Sequence, residues 1–194
     1  KDREIFDVRL SIEMDPIARR TLMLRSFYRH LDGPASKRRY REYLRGDRDL
    51  VKLLASDTEA ATIADREAWR SELGADDRSV VRDRIDEALD GAQEWVLLGG
   101  PPCQAYSIVG RSRMLPVIGE KEFSADPRHQ LYKEYLRILA DHAPTAFIFE
   151  NVRGILSSKL NGSSVFDRIY ADLKNPSNPF DDKEGLRHKP KYRL

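Results

Sequence analysis

Four apolar residues, Trp95 to Leu98, run without a break into Gly99, Gly100, Pro101 and Pro102, and the only cysteine of the chain, Cys103, follows directly. No other stretch restricts the fold as much. A short continuous apolar run ended by glycines predicts a strand buried on both faces, as in an open α/β sheet, where ligands sit beyond the carboxyl ends of the strands. Paired glycines let a backbone pass close to a ligand, and each proline fixes its own φ and restricts the residue before it. The turn is therefore stiff, with Cys103 at its tip. An ordinary thiol, with a pKa of about 8.5, is only a few per cent thiolate at neutral pH, so a nucleophilic cysteine needs dipoles or cations nearby. Arg111 and Arg113 lie a few residues on. The plainer reading of a lone cysteine is a small buried hydrophobe.

The string Gly99-Gly100-Pro101-Pro102-Cys103-Gln104, with Ala105-Tyr106-Ser107 and Gly110 after it, resembles the nucleophile motif of the cytosine-5 DNA methyltransferases. Downstream, Phe147-Ile148-Phe149-Glu150-Asn151-Val152 resembles that family's strand ending in Glu-Asn-Val. The resemblance implies an α/β fold of the Rossmann-like methyltransferase type, a mostly parallel sheet flanked by helices, incomplete here at both ends. It implies S-adenosylmethionine as cofactor, and Cys103 as the nucleophile that adds to carbon 6 of cytosine so that carbon 5 accepts a methyl group. Glu150 would meet the charge developing at ring nitrogen 3 and the exocyclic amine, with a raised pKa in a closed pocket. The target nucleotide would be flipped out of the duplex.

The same resemblance assigns Glu13 to the cofactor ribose, Glu72 and Leu73 to the adenine, and Pro102 to the cofactor site. Gln104, Ser107, Arg111, Arg113 and Asn151 are the candidates for holding nucleic acid. For Glu13 and Glu150 the alternative is an ordinary strand-end carboxylate, exposed or salt-bridged. The family's glycine-rich cofactor loop would precede Lys1, and its target-recognition region would follow Leu194, so residues 1–194 read as a partial catalytic domain. Two rivals stand beside DNA methylation: a related enzyme acting on tRNA, and a non-catalytic nucleic-acid-binding fragment.

Composition bounds these readings. The chain has 194 residues, 40% apolar and 34% charged, enough for one domain with a sizeable core. No apolar run approaches the roughly 20 residues of a membrane span and no signal peptide opens the chain, so the expected setting is cytoplasmic; the resemblance implies a bacterial enzyme beside the nucleoid. One cysteine excludes an internal disulfide framework, and four scattered histidines suggest no metal site. A dehydrogenase is disfavoured, since no Gly-x-Gly-x-x-Gly follows a strand. Net charge is only +2, so nucleic-acid contact must come from local clusters. One is Arg111 with Arg113. The other is Lys37-Arg38-Arg39 with Arg41, Arg45 and Arg48, whose acids Glu42, Asp47 and Asp49 lie at near-helical spacing, so that a solvated helix face is the alternative. The expected partners are double-stranded DNA and a cognate restriction endonuclease, with the protein itself a monomer.

Taken in order, Val8, Leu10 and Ile12 alternate as a strand, and Asp15-Pro16 starts a helix with Leu24, Phe27, Tyr28 and Leu31 on one face. Residues 33–36 read as a turn, 37–67 as helix-forming, 69–73 as a short extended stretch, and 76–90 as a helix with Val81, Ile85, Ala88 and Leu89 on one face. A long loop runs from Cys103 to about Ala125, of the kind that forms lids. Asp126-Pro127 starts a periodic helix through Leu131, Tyr135, Ile138 and Leu139, stopped by Pro144. Ala146 to Phe149 reads as the next buried strand, 154–161 as a loop, and 165–173 as a helix through Phe166, Ile169, Tyr170 and Leu173. Residues 175–190 read as mobile, and 191–194 as the start of another strand.

Overall fold

A computed structural model describes residues 6–100, 132–151, 153–157, 159–160, 163–181 and 184–194. The chain is mixed α/β and divides into two compact units, Lys1–Asp90 and Gly91–Leu194.

In the first unit, β1 (Ser11–Glu13) and β2 (Ala68–Arg70) pair in parallel, with Ser11 opposite Ala68 and Glu13 opposite Arg70. The strand expected from Val8 pairs only from Ser11, because β2 offers just three residues. Helix α1 (Pro16–His30) begins as read: the Asp15 carboxylate accepts from the Ile17 and Ala18 amides at 2.9 and 2.7 Å, and Pro16 fits the first turn. Its buried side is Met23, Ser26 and Phe27, continued by Leu31, whereas Leu24 is half-buried and Tyr28 exposed. The small Ala60, Ala64 and Ala68 pack there, which centres the contact face on Phe27 rather than on Tyr28.

Residues 33–36 are not a free turn but the opening of α2 (Gly33–Arg45), where Pro34 is preset for a first helical turn. The helix-forming stretch then breaks into α2, α3 (Leu50–Leu54) and α4 (Thr58–Glu67). Gly46 closes α2 at φ 85°, and Asp49 and Asp57 cap the starts of α3 and α4. The extended stretch expected at 69–73 is β2, earlier and shorter, since Asp76 takes hydrogen bonds from the Ser71 hydroxyl and the Glu72 amide and curls the chain. Helix α5 (Arg78–Leu89) starts at Asp77 and buries Val81 and Ile85, with Ala88 and Leu89 half-buried.

In the second unit, β3 (Val96–Gly99) and β4 (Ala146–Phe149) pair in parallel, Val96 opposite Ala146 and Gly99 opposite Phe149. Neither strand is buried on both faces. Leu97, Phe147 and Phe149 pack on the core, while Leu98 and Ile148 are 67% and 60% exposed. The cause is one-sided cover: the core of Tyr135, Leu136, Leu139, Val165, Ile169 and Leu173 lies against a single face of this pair. Among the described residues, the mostly parallel sheet of the sequence reading thus takes the form of one parallel pair per unit, with an antiparallel pair, β5 (Lys159–Leu160) and β6 (Ser163–Ser164), in the second.

Helix α6 (Tyr132–His142) buries Tyr135, Ile138 and Leu139 as its periodicity predicts; the Asp126-Pro127 start and Leu131 lie outside the described residues. The loop expected at 154–161 is a 3₁₀ turn (Arg153–Ser157) followed by β5, because Ile155 enters the core and tightens the chain. Helix α7 (Val165–Lys174), capped by Ser164, buries Val165, Ile169 and Leu173. Phe166 and Tyr170 instead stack on each other on its outer side, 5.9 Å between centroids. Residues 175–181 and 184–190 are anchored rather than loose: Pro176 is fully buried, Arg137 pairs with Glu184 at 3.0 Å, and the His188 amide donates to the Ala140 carbonyl at 2.9 Å. That last bond satisfies a carbonyl of α6's final turn. The last four residues form no strand. The Tyr192 ring meets Phe147 edge-on at 4.9 Å and its hydroxyl donates to the Pro144 carbonyl, which ties the segment down as irregular chain. Among the described residues no helix is long and apolar enough to cross a membrane.

Candidate active site

The second unit builds its site from two strand ends. Beyond β4 the ladder continues by one bond: the Glu150 amide donates to the Gly99 carbonyl at 2.8 Å. Gly99 and Gly100 then show why no side chain is tolerated there. A Cβ on Gly99 would lie 2.6 Å from the Tyr135 ring, and one on Gly100 would lie 3.0 Å from the Glu150 carbonyl oxygen and 3.3 Å from its Cβ. Neither glycine takes a positive φ, so their smallness is what matters here. The backbone leaving β3 therefore passes directly beside Glu150, whose side chain is exposed, with the half-buried Asn151 next in sequence.

Tyr135 supports this crossing from below. Its hydroxyl donates to the Ile148 carbonyl at 3.1 Å and lies 3.4 Å from the Leu97 carbonyl, so one side chain ties both strands. Its ring meets Phe149 and Phe147 edge-on at 5.2 and 6.1 Å. Burial, with the nearby Tyr192 phenol adding to it, holds the Tyr135 hydroxyl well above the usual phenol range and keeps it a donor. Sequence reasoning placed Tyr135 only in a buried stripe. The signal for its second role is a polar-tipped aromatic within an otherwise aliphatic face, since a buried phenol needs a partner.

The first unit builds a rim of its own. Glu13 ends β1, and its carbonyl accepts from the Ser71 amide at 3.3 Å just past β2. One carboxylate oxygen of Glu13 accepts from the Asp15 amide at 2.9 Å. Glu72 and Leu73 follow Ser71, Glu72 exposed and Leu73 half-buried. The structure thus brings Glu13, Glu72 and Leu73 to the carboxyl ends of two adjacent parallel strands. Asp76, which the sequence reading passed over, shapes this loop: the Ser71 hydroxyl and then the Glu72 amide hold its carboxyl below the usual carboxylate range. The available clue was only the residue type, an aspartate in a short polar stretch after Gly74, since aspartates close turns by accepting from nearby backbone amides. Pro102, Cys103, Gln104, Ser107, Arg111 and Arg113 lie outside the described residues.

Comparison with known proteins fits this arrangement. The family of C-5 cytosine-specific DNA methylases matches over residues 76–176, just over half of the chain. The chain is 44% identical over 79 residues to the Type II methyltransferase M.Bpa9945I of Bacillus paralicheniformis, a match covering 41% of this chain and 15% of that protein. It is 44% identical over 89 residues to M.FnuDI of Fusobacterium nucleatum, covering 46% and 22%, and 35% identical over 91 residues to M.NgoPII of Neisseria gonorrhoeae, covering 47% and 23%. The matched segment therefore spans less than a quarter of each of these relatives. No solved structure matches significantly. With the nucleophile-motif strand and the Glu-Asn strand paired in parallel inside the matched segment, the chain belongs to the C-5 cytosine-specific DNA methylase family.

Proposed function

We propose that this chain is the catalytic-motif portion of a DNA (cytosine-5)-methyltransferase of Rossmann-like fold. The observation that carries the reading is the Glu150 amide bonded to the Gly99 carbonyl, with Gly100 packed on Glu150. Cys103 follows Gly100 by three residues in sequence. A nucleophile and a carboxyl can then act on one base.

In this reaction the Cys103 thiolate gives its electron pair to a new bond at carbon 6 of the flipped cytosine, and the carbon 5–carbon 6 π pair so displaced makes carbon 5 nucleophilic. Glu150 would interact with ring nitrogen 3 and the exocyclic amine as negative charge enters the ring. After carbon 5 gains the methyl group it loses its proton to a base, and the carbon–sulfur bond breaks to release the thiolate. S-Adenosylmethionine, when bound, would supply that methyl group as an electrophile, its sulfonium sulfur keeping the electron pair of the broken bond as the neutral thioether S-adenosylhomocysteine. The residues at the first unit's rim fit such a cofactor: Glu13 commits one carboxylate oxygen to the Asp15 amide, and its other oxygen suits ribose hydroxyls. Glu72 and Leu73 would flank the adenine, and Pro102 is a further candidate for the cofactor. Gln104, Ser107, Arg111, Arg113 and Asn151 would hold the nucleotide and its flanking phosphates. The family description names DNA and cytosine carbon 5, which favours DNA over tRNA as substrate. A cognate restriction endonuclease and a cytoplasmic setting follow from the same reading.

Covalent trapping tests it. The chain, incubated with S-adenosylmethionine and bulk DNA containing 5-azacytosine, should form a denaturation-resistant adduct that Cys103→Ala abolishes. An adduct with a longer parent chain alone would identify the present segment as an incompetent portion. No adduct with either would overturn the mechanism.

A further inference from the structure

The basic cluster of α2 is a surface that the active-site reading leaves unused. The helix carries Lys37, Arg38, Arg39, Arg41 and Arg45 against a single acid, Glu42. These charges are sorted by helix geometry. Tyr40 and Tyr43 face inward, packed against the core of the first unit, with Tyr40 4.9 Å from Tyr28. On the opposite side Arg38, Arg41 and Arg45 are all exposed at spacings of three and four, which places them within about 60° on one face.

The remaining charges do not neutralise this stripe. Glu42 is turned toward Arg48, which it binds at 3.0 Å, and reaches Arg38 only loosely at 3.9 Å. Asp49 caps α3 and pairs with Lys52, while Lys37 lies over the Tyr28 ring and Arg39 donates to Ser36. Asp32 and Asp47 lie just beyond the two ends of α2. Arg45 gives its Nε to the Arg41 carbonyl at 3.3 Å, an exposed bond within the helix itself.

We infer that the Arg38–Arg41–Arg45 face of α2 binds the phosphate backbone of duplex DNA, outside the target site and without reading sequence. The spacing suits it. From Arg38 to Arg45 the helix rises about 10 Å, and one DNA strand presents a phosphate about every 3.4 Å along its axis, so the stripe spans roughly three phosphates. Exposed guanidinium groups are also the side chains best matched to phosphate oxygens. The inference rests on the DNA reading above, but its test is separate from covalent trapping.

The test is the salt dependence of binding of the full chain to a fluorescent duplex of mixed sequence. Three phosphate contacts contribute about 2.7 to the slope of log K against log salt. Replacing Arg38, Arg41 and Arg45 together by alanine should lower the slope by about that amount. The triple lysine variant should keep most of the slope, and unlabelled bulk duplex should compete better than tRNA. A control that removes the exposed Lys189, Lys191 and Arg193 has the same net charge change and should leave the slope near wild type. An unchanged slope in the α2 variant, an equal fall in the control, stronger competition by tRNA, or no duplex binding by the parent chain would each overturn the inference. Adduct formation by a chain whose α2 variant keeps its slope would leave the methyltransferase reading standing without it.

Discussion

At the scale of single residues, the glycine pair after β3 is a packing device before it is anything else. The Tyr135 ring under Gly99 cannot move aside easily, because it is buried, bonded to the Ile148 carbonyl and wedged edge-on between Phe147 and Phe149. Gly99→Ala should therefore cost about 1–3 kcal/mol through overpacking. Tyr135→Leu alone should also destabilise, by loss of the ring and its bond. Combined, the two should cost less than their sum, since the smaller side chain frees the space that the new methyl needs. Urea unfolding of the four chains measures this. Strict additivity would show that the Gly99–Tyr135 contact does not set the requirement for glycine. Gly100 comes nearest to backbone, 3.0 Å from the Glu150 carbonyl oxygen, with the Glu150 Cβ at 3.3 Å, so trimming a side chain cannot relieve the tightest contact of Gly100→Ala.

At the scale of elements, the first unit is held by a polar link inside an apolar contact. Glu67, at the end of α4, is 5% exposed and accepts from the buried Ser26 hydroxyl and the Arg29 guanidinium, both on α1. A buried carboxylate that loses its cation keeps the desolvation cost without the compensation. Arg29→Met should then cost about 3 kcal/mol, at the lower end for a broken buried pair because Arg29 is partly exposed. Glu67→Gln with Arg29→Met, which removes both charges, should recover part of that loss in the same unfolding measurement. Equal stability of the single and double variants would discount the ion pair. None of this was legible in the sequence: Ser26 and Glu67 are 41 residues apart, and neither belongs to a motif. Legible features were local ones, such as the Asp15-Pro16 helix start, the stripe of α6, and strand ends where apolar runs meet Gly99 and Glu150. Periodicity failed where the partner chose the face. Small alanines on α4 drew α1 toward Phe27, and one-sided cover left Leu98 and Ile148 exposed on strands whose apolar runs read as buried twice over.

At the scale of the whole chain, acid acts with opposite sign on four carboxylates of the first unit and on Asp172 of the second. In the first unit Asp49, Asp76, Asp77 and Glu87 all sit below their ordinary carboxylate values. The main causes are the Lys52 amide on Asp49, the Ser71 hydroxyl on Asp76, the Ser79 hydroxyl on Asp77 and the Arg66 guanidinium on Glu87. A carboxyl lowered on folding adds stability above its unfolded pKa and loses it as pH falls through the folded one. These groups hold the starts of α3 and α5, the Ser71–Asp76 turn and the α4–α5 bridge, and all lose from about pH 4 downward. In the second unit Asp172 is raised, chiefly by burial and against the Tyr132 hydroxyl that donates to it at 3.1 Å. Its contribution is fully present below the unfolded value near 3.8 and is lost as pH rises through the folded one. Burial likewise pushes the Tyr132 hydroxyl up to about 12, so it stays protonated throughout this range. Hydrogen exchange of the full chain, corrected for intrinsic rates, should show protection falling between pH 5 and pH 3 first at the starts of α3 and α5. The α6–α7 contact around Tyr132 and Asp172 should hold. Earlier loss at α7 than at α5 would mean that Asp172 needs its charge in the folded state, contrary to its burial.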